Sequence, residues 1–181
     1  MVKMREEEGQ VPSHLEDGDY ALADSLAVRI DWLNNELERQ TRALLEMPFG
    51  LTPVEWRCLA TLCVRGAMTG ADLSELTAES PAQISRALRR LRDDGLVAWP
   101  AGTQKRGFGA SFATEEGRAL FAQVKPVMLS RNLWLLDGLE PEERTEIYRL
   151  VAKLRARMEE LPDADALTRR LNQSAHEATN T

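Results

Sequence analysis

The sequence has few of the residues on which most enzyme and metal sites depend. Its 181 residues include two cysteines and two histidines. Cys58 and Cys63 lie among apolar residues and lack metal-ligand spacing, so we predict two thiols in the core rather than a disulfide framework. His14 and His176 fall in polar terminal segments, which leaves the predicted core without an imidazole for acid–base catalysis. A glycine-rich phosphate loop is absent too. We therefore predict that the protein is not an enzyme and holds no metal and no cofactor.

Long hydrophobic runs are missing as well. No apolar stretch approaches the roughly 18 residues that are needed to span a bilayer. The opening MVKMREEEGQ also lacks the apolar segment of a secretory signal. We therefore predict a cytoplasmic protein with no membrane partner. With 43% hydrophobic and 29% charged residues, the chain fits one compact domain with short tails.

Acidic residues outnumber basic ones, 29 to 23, but the basic residues are concentrated in one segment. The net charge of −6 does not suggest a nucleic-acid partner, because nucleic-acid-binding domains are usually basic. Residues 1–21 hold two basic and six acidic residues, whereas residues 81–112 hold six basic and two acidic ones. We therefore expect a cationic surface within residues 81–112 on an otherwise acidic protein.

Helical periodicity fills most of the chain between two polar tails. Apolar residues recur at helical spacing from Leu22 to Leu44 and predict a long first helix, which the proline and glycine of residues 47–50 stop. Two further helices are predicted after Thr114 and after Leu139, and the second of these carries apolar residues up to Met158. The chain is thus predicted to be mainly α-helical.

Three short helices are predicted in the middle of the chain, and a capping sequence opens each of them. The threonine or serine before the helix and the polar residue three positions later accept hydrogen bonds from each other's backbone N–H groups. The three sequences are Thr52-Pro53-Val54-Glu55, Thr69-Gly70-Ala71-Asp72 and Ser80-Pro81-Ala82-Gln83. Residues 96–99 and 107–113 then predict two strands joined by a turn. This order predicts a winged helix-turn-helix fold, which is mainly α with a small β-hairpin wing.

The fourth helix, from Pro81 to about Asp94, is predicted to carry the DNA-reading surface. Its apolar residues gather on one helical face, at Ile84, Ala87, Leu88 and Leu91, and its polar residues lie on the opposite face and flanks. Because glutamine pairs with adenine edges and arginine with guanine edges, we predict base contacts by Gln83 and Arg86. Phosphate contacts are predicted for Arg89 and Arg90. With the helix start and the turn of the wing, the complete predicted DNA-binding set is Ser80, Pro81, Ala82, Gln83, Ser85, Arg86, Arg89, Arg90, Gln104, Lys105 and Arg106.

These residues also have structural interpretations that remain open at the level of sequence. Gln83 alternatively does no more than complete the cap of its helix. Arg86 alternatively stays solvated or pairs with a carboxylate of the same chain. The lysine and arginine of the wing alternatively belong to an ordinary exposed turn. We expect Arg92, which lies nearer the packed side, to form a surface ion pair with Asp93.

The run from Leu51 to about Leu120 resembles the MarR family of transcription regulators. The most specific parts are Ile84-Ser85-Arg86, Gly95-Leu96-Val97 and Thr114-Glu115-Glu116-Gly117. The resemblance implies a homodimer built from the first, fifth and sixth helices, with an arginine at the tip of the wing. The family commonly has Asp-x-Arg in the wing, whereas this chain has Gln104-Lys105-Arg106, so the acidic partner of the arginine is lost.

The resemblance also implies how the chain is divided and what it does. Residues 21–50 and 114–161 form the dimerisation region, residues 51–113 form the DNA-binding domain, and residues 1–20 and 162–181 are polar tails. The predicted function is transcription regulation by a homodimer whose two recognition helices enter successive major grooves of a pseudo-palindromic operator in double-stranded DNA. The alternative is a winged-helix protein-interaction module without sequence-specific DNA binding.

Members of the family often bind small aromatic or anionic effectors between the dimerisation helices and the DNA-binding domain, so a small-molecule effector is a further predicted partner. Trp32 on the first helix and Trp56 on the second are the candidates for bordering such a cleft. Alternatively, both tryptophans fill the core. Oxidation of Cys58 or Cys63, as in redox-sensing relatives, is a less favoured alternative because we expect no nearby cation to lower a thiol pKa.

Overall fold

The computed structural model describes residues 25–99, 109–160 and 167–169. The named elements follow in the order α1 (Leu26–Phe49), α2 (Pro53–Arg65), α3 (Gly70–Thr77), α4 (Pro81–Asp93), β1 (Val97–Ala98), β2 (Phe112–Ala113), α5 (Glu115–Leu136) and α6 (Pro141–Glu159). This order confirms the predicted mainly helical fold with a small hairpin. Contacts divide the chain into two compact units, Met1–Met128 and Leu129–Thr181, which we describe separately.

The three predicted capping sequences all form. Before α2, the Glu55 N–H donates to Thr52 Oγ1 at 3.3 Å, and the Thr52 N–H donates to Glu55 Oε2 at 2.8 Å. Thr69 caps α3 and Ser80 caps α4 in the same reciprocal way. Each cap satisfies two backbone N–H groups that have no partner within the helix. Short helices of 8 and 13 residues therefore begin where the sequence predicts them.

The end of α1 differs in one detail from the prediction. Pro48 does not stop the helix but lies inside its last turn. Gly50 ends it instead, with a left-handed φ of 66°, and its N–H donates to the Glu46 carbonyl. A left-handed residue closes a helix most easily when it is glycine, because glycine has no Cβ to collide with the preceding turn.

Within the described residues, the paired part of the hairpin is shorter than predicted and has an additional anchor. Residues 97–98 pair antiparallel with residues 112–113. Beyond this pairing, the Met68 N–H donates to the Ser111 carbonyl at 3.0 Å, and the Ser111 N–H donates to the Met68 carbonyl at 2.7 Å. The returning strand is therefore tied to the turn between α2 and α3. A one-residue bridge leaves no period in the sequence, so it was not predictable from the pattern.

The core lies among α2, α3, α4 and the base of the hairpin, and Leu45 of α1 and Val124 of α5 are buried in it. The four apolar residues predicted to face inward from α4 are all buried, as are Leu59 and Leu62 of α2 and Leu73 of α3. α5 enters this core closely at Gly117, where an added Cβ would lie 2.1 Å from the Leu96 carbonyl oxygen. Cys58 is buried as predicted, whereas Cys63 is only half-buried.

Candidate nucleic-acid interface

The predicted reading surface lies on the outward side of α4. Its inward side is fixed by the buried residues from Ile84 to Leu91, so the opposite side must face solvent. Seven members of the predicted DNA-binding set are exposed there, and they are Ser80, Pro81, Ala82, Ser85, Arg86, Arg89 and Arg90. Gln83 is half-buried. The helix start and its arginines thus form one continuous polar surface.

The four arginines of α4 differ in their surroundings. Within the described residues, Arg86 and Arg89 make no ion pair with any carboxylate. Arg90 Nε lies 2.9 Å from Asp94 Oδ2, and this hydrogen bond raises the pKa of the Arg90 guanidinium. The carboxylate interpretation of Arg86 therefore finds no support in this part of the chain. Of the four, Arg86 and Arg89 have no acidic partner in the described part of the chain and are exposed to an external anion.

Arg92 has a role that the sequence did not reveal. The expected ion pair with Asp93 is present but long, at 3.8 Å. The guanidinium carbon instead lies 4.2 Å from the ring centroid of Trp99, a cation–π contact. The Trp99 indole N–H donates to Ser111 Oγ at 2.8 Å. Arg92 therefore braces the base of the wing rather than the outward surface.

Gln83 forms the predicted cap, and this constrains its second predicted role. Its Oε1 accepts hydrogen bonds from the Ser80 N–H at 3.1 Å and from the Ser80 hydroxyl. A two-point contact with adenine uses both the oxygen and the nitrogen of the amide. Gln83 must therefore release the cap to make such a contact, or contact a base through its Nε2 alone. Arg86 carries no comparable constraint.

The wing tip lies outside the described residues. The predicted contacts of Gln104, Lys105 and Arg106 fall in this segment and stay predictions. The base of the wing is described from both sides, through β1 and β2 and through the anchor of Ser111 to Met68.

The two candidate effector residues lie in different surroundings. Trp32 on α1 is 56% exposed, so the interpretation that it fills the core is wrong for this residue. Trp56 on α2 is half-buried and stacks on Phe121, with ring centroids 5.6 Å apart and planes 19° from parallel. The contact with Phe121 of α5 explains the half-buried position of Trp56 as packing.

A cavity of about 590 Å³ lies elsewhere, between α1, the start of α2 and the turn that precedes α4. Neither Trp32 nor Trp56 lines it. The lining residues are Asn34, Glu38, Arg42, Thr52, Pro53, Val54, Arg57, Thr77, Ala78, Glu79 and Gln83. No motif marked this cavity, because its walls come from three separate stretches of sequence.

Comparison with known proteins places the chain in a family. The MarR family model matches residues 49–107. The HTH-type transcriptional repressor Rv2887 of Mycobacterium tuberculosis is 30% identical over 107 residues, which are 59% of this chain and 77% of the relative. The chain belongs to the MarR family of transcription regulators. This confirms the resemblance seen in the sequence.

Solved MarR-family structures share the fold. The crystal structure of Rv2887 in complex with salicylic acid is 27% identical, with a TM-score of 0.58 over 76% of this chain and 98% of that one. A MarR/EmrR family regulator from Acinetobacter sp. ADP1 has a TM-score of 0.72 at 20% identity, covering 78% of this chain and all of the other. The S. aureus MepR–DNA complex has a TM-score of 0.66 at 16% identity, covering 76% and 99%. The latter two show the fold alone.

Two of the negative predictions can be compared with these findings. The family and these relatives are transcription regulators rather than enzymes, which confirms that prediction. None of the helices in the described ranges is long and apolar enough to cross a bilayer.

The cysteines of this MarR-family chain are not activated thiols. Burial raises the pKa of Cys58 to about 12. Burial also raises the pKa of Cys63, although the charge of Arg118 opposes the shift. A nearby cation is therefore present, contrary to our expectation, but its effect on the pKa of Cys63 is smaller than that of burial. Because the thiolate is the reactive form, both thiols are poorly suited to oxidation at neutral pH.

Proposed function

We propose that the protein is a homodimeric regulator that blocks or tunes transcription by binding a pseudo-palindromic operator in double-stranded DNA. In this proposal α4 of each subunit enters a major groove, and the two grooves lie one helical turn apart. The cytoplasmic location predicted from the sequence belongs to the same proposal.

The outward surface of α4 carries the proposal. Arg86 and Arg89 are exposed, and within the described residues neither has an acidic partner. On a chain of net charge −6, arginines that remain unpaired on one face favour an anionic partner. The buried apolar side of the same helix holds them in one orientation. The MepR–DNA complex, which has the same fold, supports DNA as that partner.

We assign roles along this surface by chemistry. Arg86, near the start of α4, is the leading base-contacting residue, and Gln83 is the second. Arg89 is assigned to the phosphate backbone, and so is Arg90, which must then exchange Asp94 for a phosphate. The exposed helix start and the wing complete the surface, with Ser80, Pro81, Ala82 and Ser85 beside the backbone and Gln104, Lys105 and Arg106 at the minor groove.

The homodimer is supported by apolar side chains that the chain leaves exposed. On α6 they recur at helical spacing along one stripe, from Ile147 through Leu150, Val151 and Leu154 to Met158, and each is 42–68% exposed. α1 carries a second exposed set at Leu26, Ile30 and Leu33. Apolar stripes of this kind are normally covered by another helix, and a second copy of the chain supplies one.

Effector binding forms the last part of the proposal. The salicylic acid complex of the relative Rv2887 supports a small aromatic carboxylate as the first compound to test. Such a ligand shifts DNA affinity only if it binds one conformation of the dimer more tightly than the other. Trp32 and Trp56 stay candidates, and loss of salicylate binding in a Trp32→Ala variant would support the first of them.

The central test is selection of genomic fragments by the purified protein, followed by mobility shifts with the recovered operator. We expect Arg86→Ala to weaken operator binding by at least about tenfold and to relax the preference at one base pair. Arg89→Ala should weaken all duplexes similarly and reduce the salt slope by about one. Arg39→Ala is the matched control, because Arg39 is exposed on α1 and pairs with Glu36 of the same helix.

Two outcomes would contradict the proposal. If Arg86→Ala binds the operator as tightly and selectively as the parent, Arg86 does not read bases. If selection recovers no preferred sequence, the winged helix serves as a protein-interaction module without sequence-specific DNA binding.

A further inference from the structure

Arg57 of α2 joins two elements that are distant in sequence. Its Nη1 and Nη2 lie 2.7 and 2.6 Å from Glu38 Oε1 on α1. Its Nε and Nη2 lie 3.0 and 2.8 Å from Glu79 Oε1, in the turn that precedes α4. The planar guanidinium thus uses three of its nitrogens to hold two carboxylates at once, a geometry that the single ammonium of lysine does not reproduce.

The turn that receives this contact is tightly constrained. The Glu79 side chain is only 10% exposed, and the hydroxyl of Ser74 on α3 donates to the Glu79 backbone carbonyl. Ala78, one residue earlier, adopts a left-handed φ of 57°, an unfavourable conformation for a residue with a Cβ. Ser80, one residue later, is the cap of α4. Glu79 therefore adjoins the first residue of the proposed reading surface.

The three residues of this contact, Glu38, Arg57 and Glu79, line the same cavity. α1 forms one wall through Glu38 and its neighbours, and the turn before α4 forms another through Ala78 and Glu79. The two elements line the same cavity, so open space separates them there. Arg57 spans the space and is ion-paired on both sides. This charged contact therefore gives α1 a direct link to the turn, in addition to the apolar contact that α1 makes with the core through Leu45.

From this geometry we infer that Arg57 is a positioning residue, which fixes the start of the recognition helix relative to α1. Arg57 is held within the protein and does not itself contact DNA. The consequence for DNA rests on the proposed function, whereas the mechanical link between α1 and the turn does not. The two parts are tested by different measurements.

Hydrogen exchange on the free protein tests the link. Glu38→Gln removes the carboxylate through which α1 pairs with Arg57, but it leaves the Arg57–Glu79 pair in place. We expect the backbone N–H groups within residues 79–84, of which Pro81 has none, to exchange about threefold to tenfold faster in this variant, although they lie 41 to 46 residues from the substitution in sequence. Glu36→Gln is the matched control, because Glu36 pairs with Arg39 on the same helix and does not line the cavity. Unchanged exchange at residues 79–84 in Glu38→Gln would overturn the inference.

Operator binding tests the consequence. We expect Arg57→Met to weaken binding to the selected operator by about tenfold, with Arg57→Lys and Glu38→Gln losing about threefold. Binding to a random-sequence duplex should stay within about twofold, because the arginines that contact phosphate are retained. A structural role alone would lower both affinities together as folded protein is lost, so a parallel loss would overturn the positioning role.

The two failures are distinguishable. If the parent shows no operator preference, the proposed function fails, while the exchange measurement still decides whether Arg57 links α1 to the turn. If the parent binds its operator and folded Glu38→Gln and Arg57→Met bind it equally well, the positioning role is wrong. Glu38→Gln keeps this test decisive if Arg57→Met does not fold, because it retains the partner of the nearly buried Glu79.

Discussion

Two helices of the molecule, α4 and α6, share a sequence pattern but have very different surroundings. Both have proline as their first residue, and both carry apolar residues at helical spacing along one side. In α4, with 13 residues, that side is buried at Ile84, Ala87, Leu88 and Leu91. In α6, with 19 residues, no residue is buried. An apolar stripe therefore shows that a helix needs a neighbour, but not whether its own chain provides it.

The comparison separates two kinds of stability. The apolar side of α4 belongs to a core closed by α2, α3 and the hairpin base, so its burial is independent of protein concentration. Within the described residues nothing buries the apolar side of α6, so if a second copy of the chain covers it, its contribution to stability depends on protein concentration.

The largest expected effect comes from matched leucine truncations on the two helices. Leu91→Ala on α4 should lower the free energy of unfolding by about 3 kcal/mol, because it opens a cavity in a closed core. The loss should be the same at every protein concentration. Leu154→Ala on α6 should cost little in dilute protein and more as the concentration rises. Urea denaturation at several concentrations measures both, and equal losses at high dilution would break the comparison.

The next effect contrasts two glycines. A Cβ at Gly117 would meet the Leu96 carbonyl, whereas a Cβ at Gly138, just before α6, would meet nothing within 4 Å. Gly117→Ala should destabilise the protein by about 2 kcal/mol, because backbone must shift to admit the methyl group. Gly138→Ala is the control and should change the melting temperature little. A Gly117→Ala variant as stable as the parent would mean that the approach of α5 to this core is not tight.

A smaller effect concerns the exposed stripe directly. Leu150→Glu should weaken self-association by at least about tenfold, or about 1.4 kcal/mol, because a carboxylate would be buried without a partner. Ala156→Glu places the same side chain on the opposite side of α6 and should leave association intact. Sedimentation equilibrium distinguishes these outcomes. If both variants, or neither, dissociate, the stripe on α6 is not the contact between subunits.

The smallest effect compares the helix starts. Ser80→Ala should lower stability by about 1 kcal/mol, because it leaves a backbone N–H of a packed helix without its cap. Glu143→Ala removes the side chain that accepts the Glu140 N–H at 2.8 Å, but solvent reaches that exposed N–H and replaces it. Its effect should therefore be smaller. Thermal melts of the two variants measure both losses of stability. A larger loss in Glu143→Ala than in Ser80→Ala would contradict this view.

Much of the fold was predictable because its signals are local. The caps at Thr52, Thr69 and Ser80 each depend on two residues three positions apart, and the buried side of α4 follows from helical spacing. Arg86 and Arg89 were predictable as outward residues for the same reason. The inclusion of Pro48 in α1 was not predictable. Proline removes one backbone hydrogen bond of a helix, and the sequence does not show whether the helix continues past that loss.

The contacts that the sequence concealed are those between distant segments. Arg57 contacts Glu38 and Glu79, which are 19 and 22 residues away. Arg92 lies on Trp99 although Asp93 is its neighbour in sequence. A charged side chain has many acidic candidates along a chain with 29 aspartates and glutamates, and only the fold selects among them. The exposure of Trp32 was not predictable either, since the residue type does not show whether the fold covers the side chain.

The unpaired arginines of α4 also affect how fast the protein finds DNA under the proposed function. A duplex repels the chain at a distance, because both carry net negative charge, and attraction begins only when α4 faces the phosphates. Collisions in other orientations are therefore unproductive and brief. Added salt should weaken this orientation preference, because it screens both the repulsion of the acidic body and the attraction of α4. The acidic body of the protein thus favours encounters in which α4 faces the DNA, before any base is contacted.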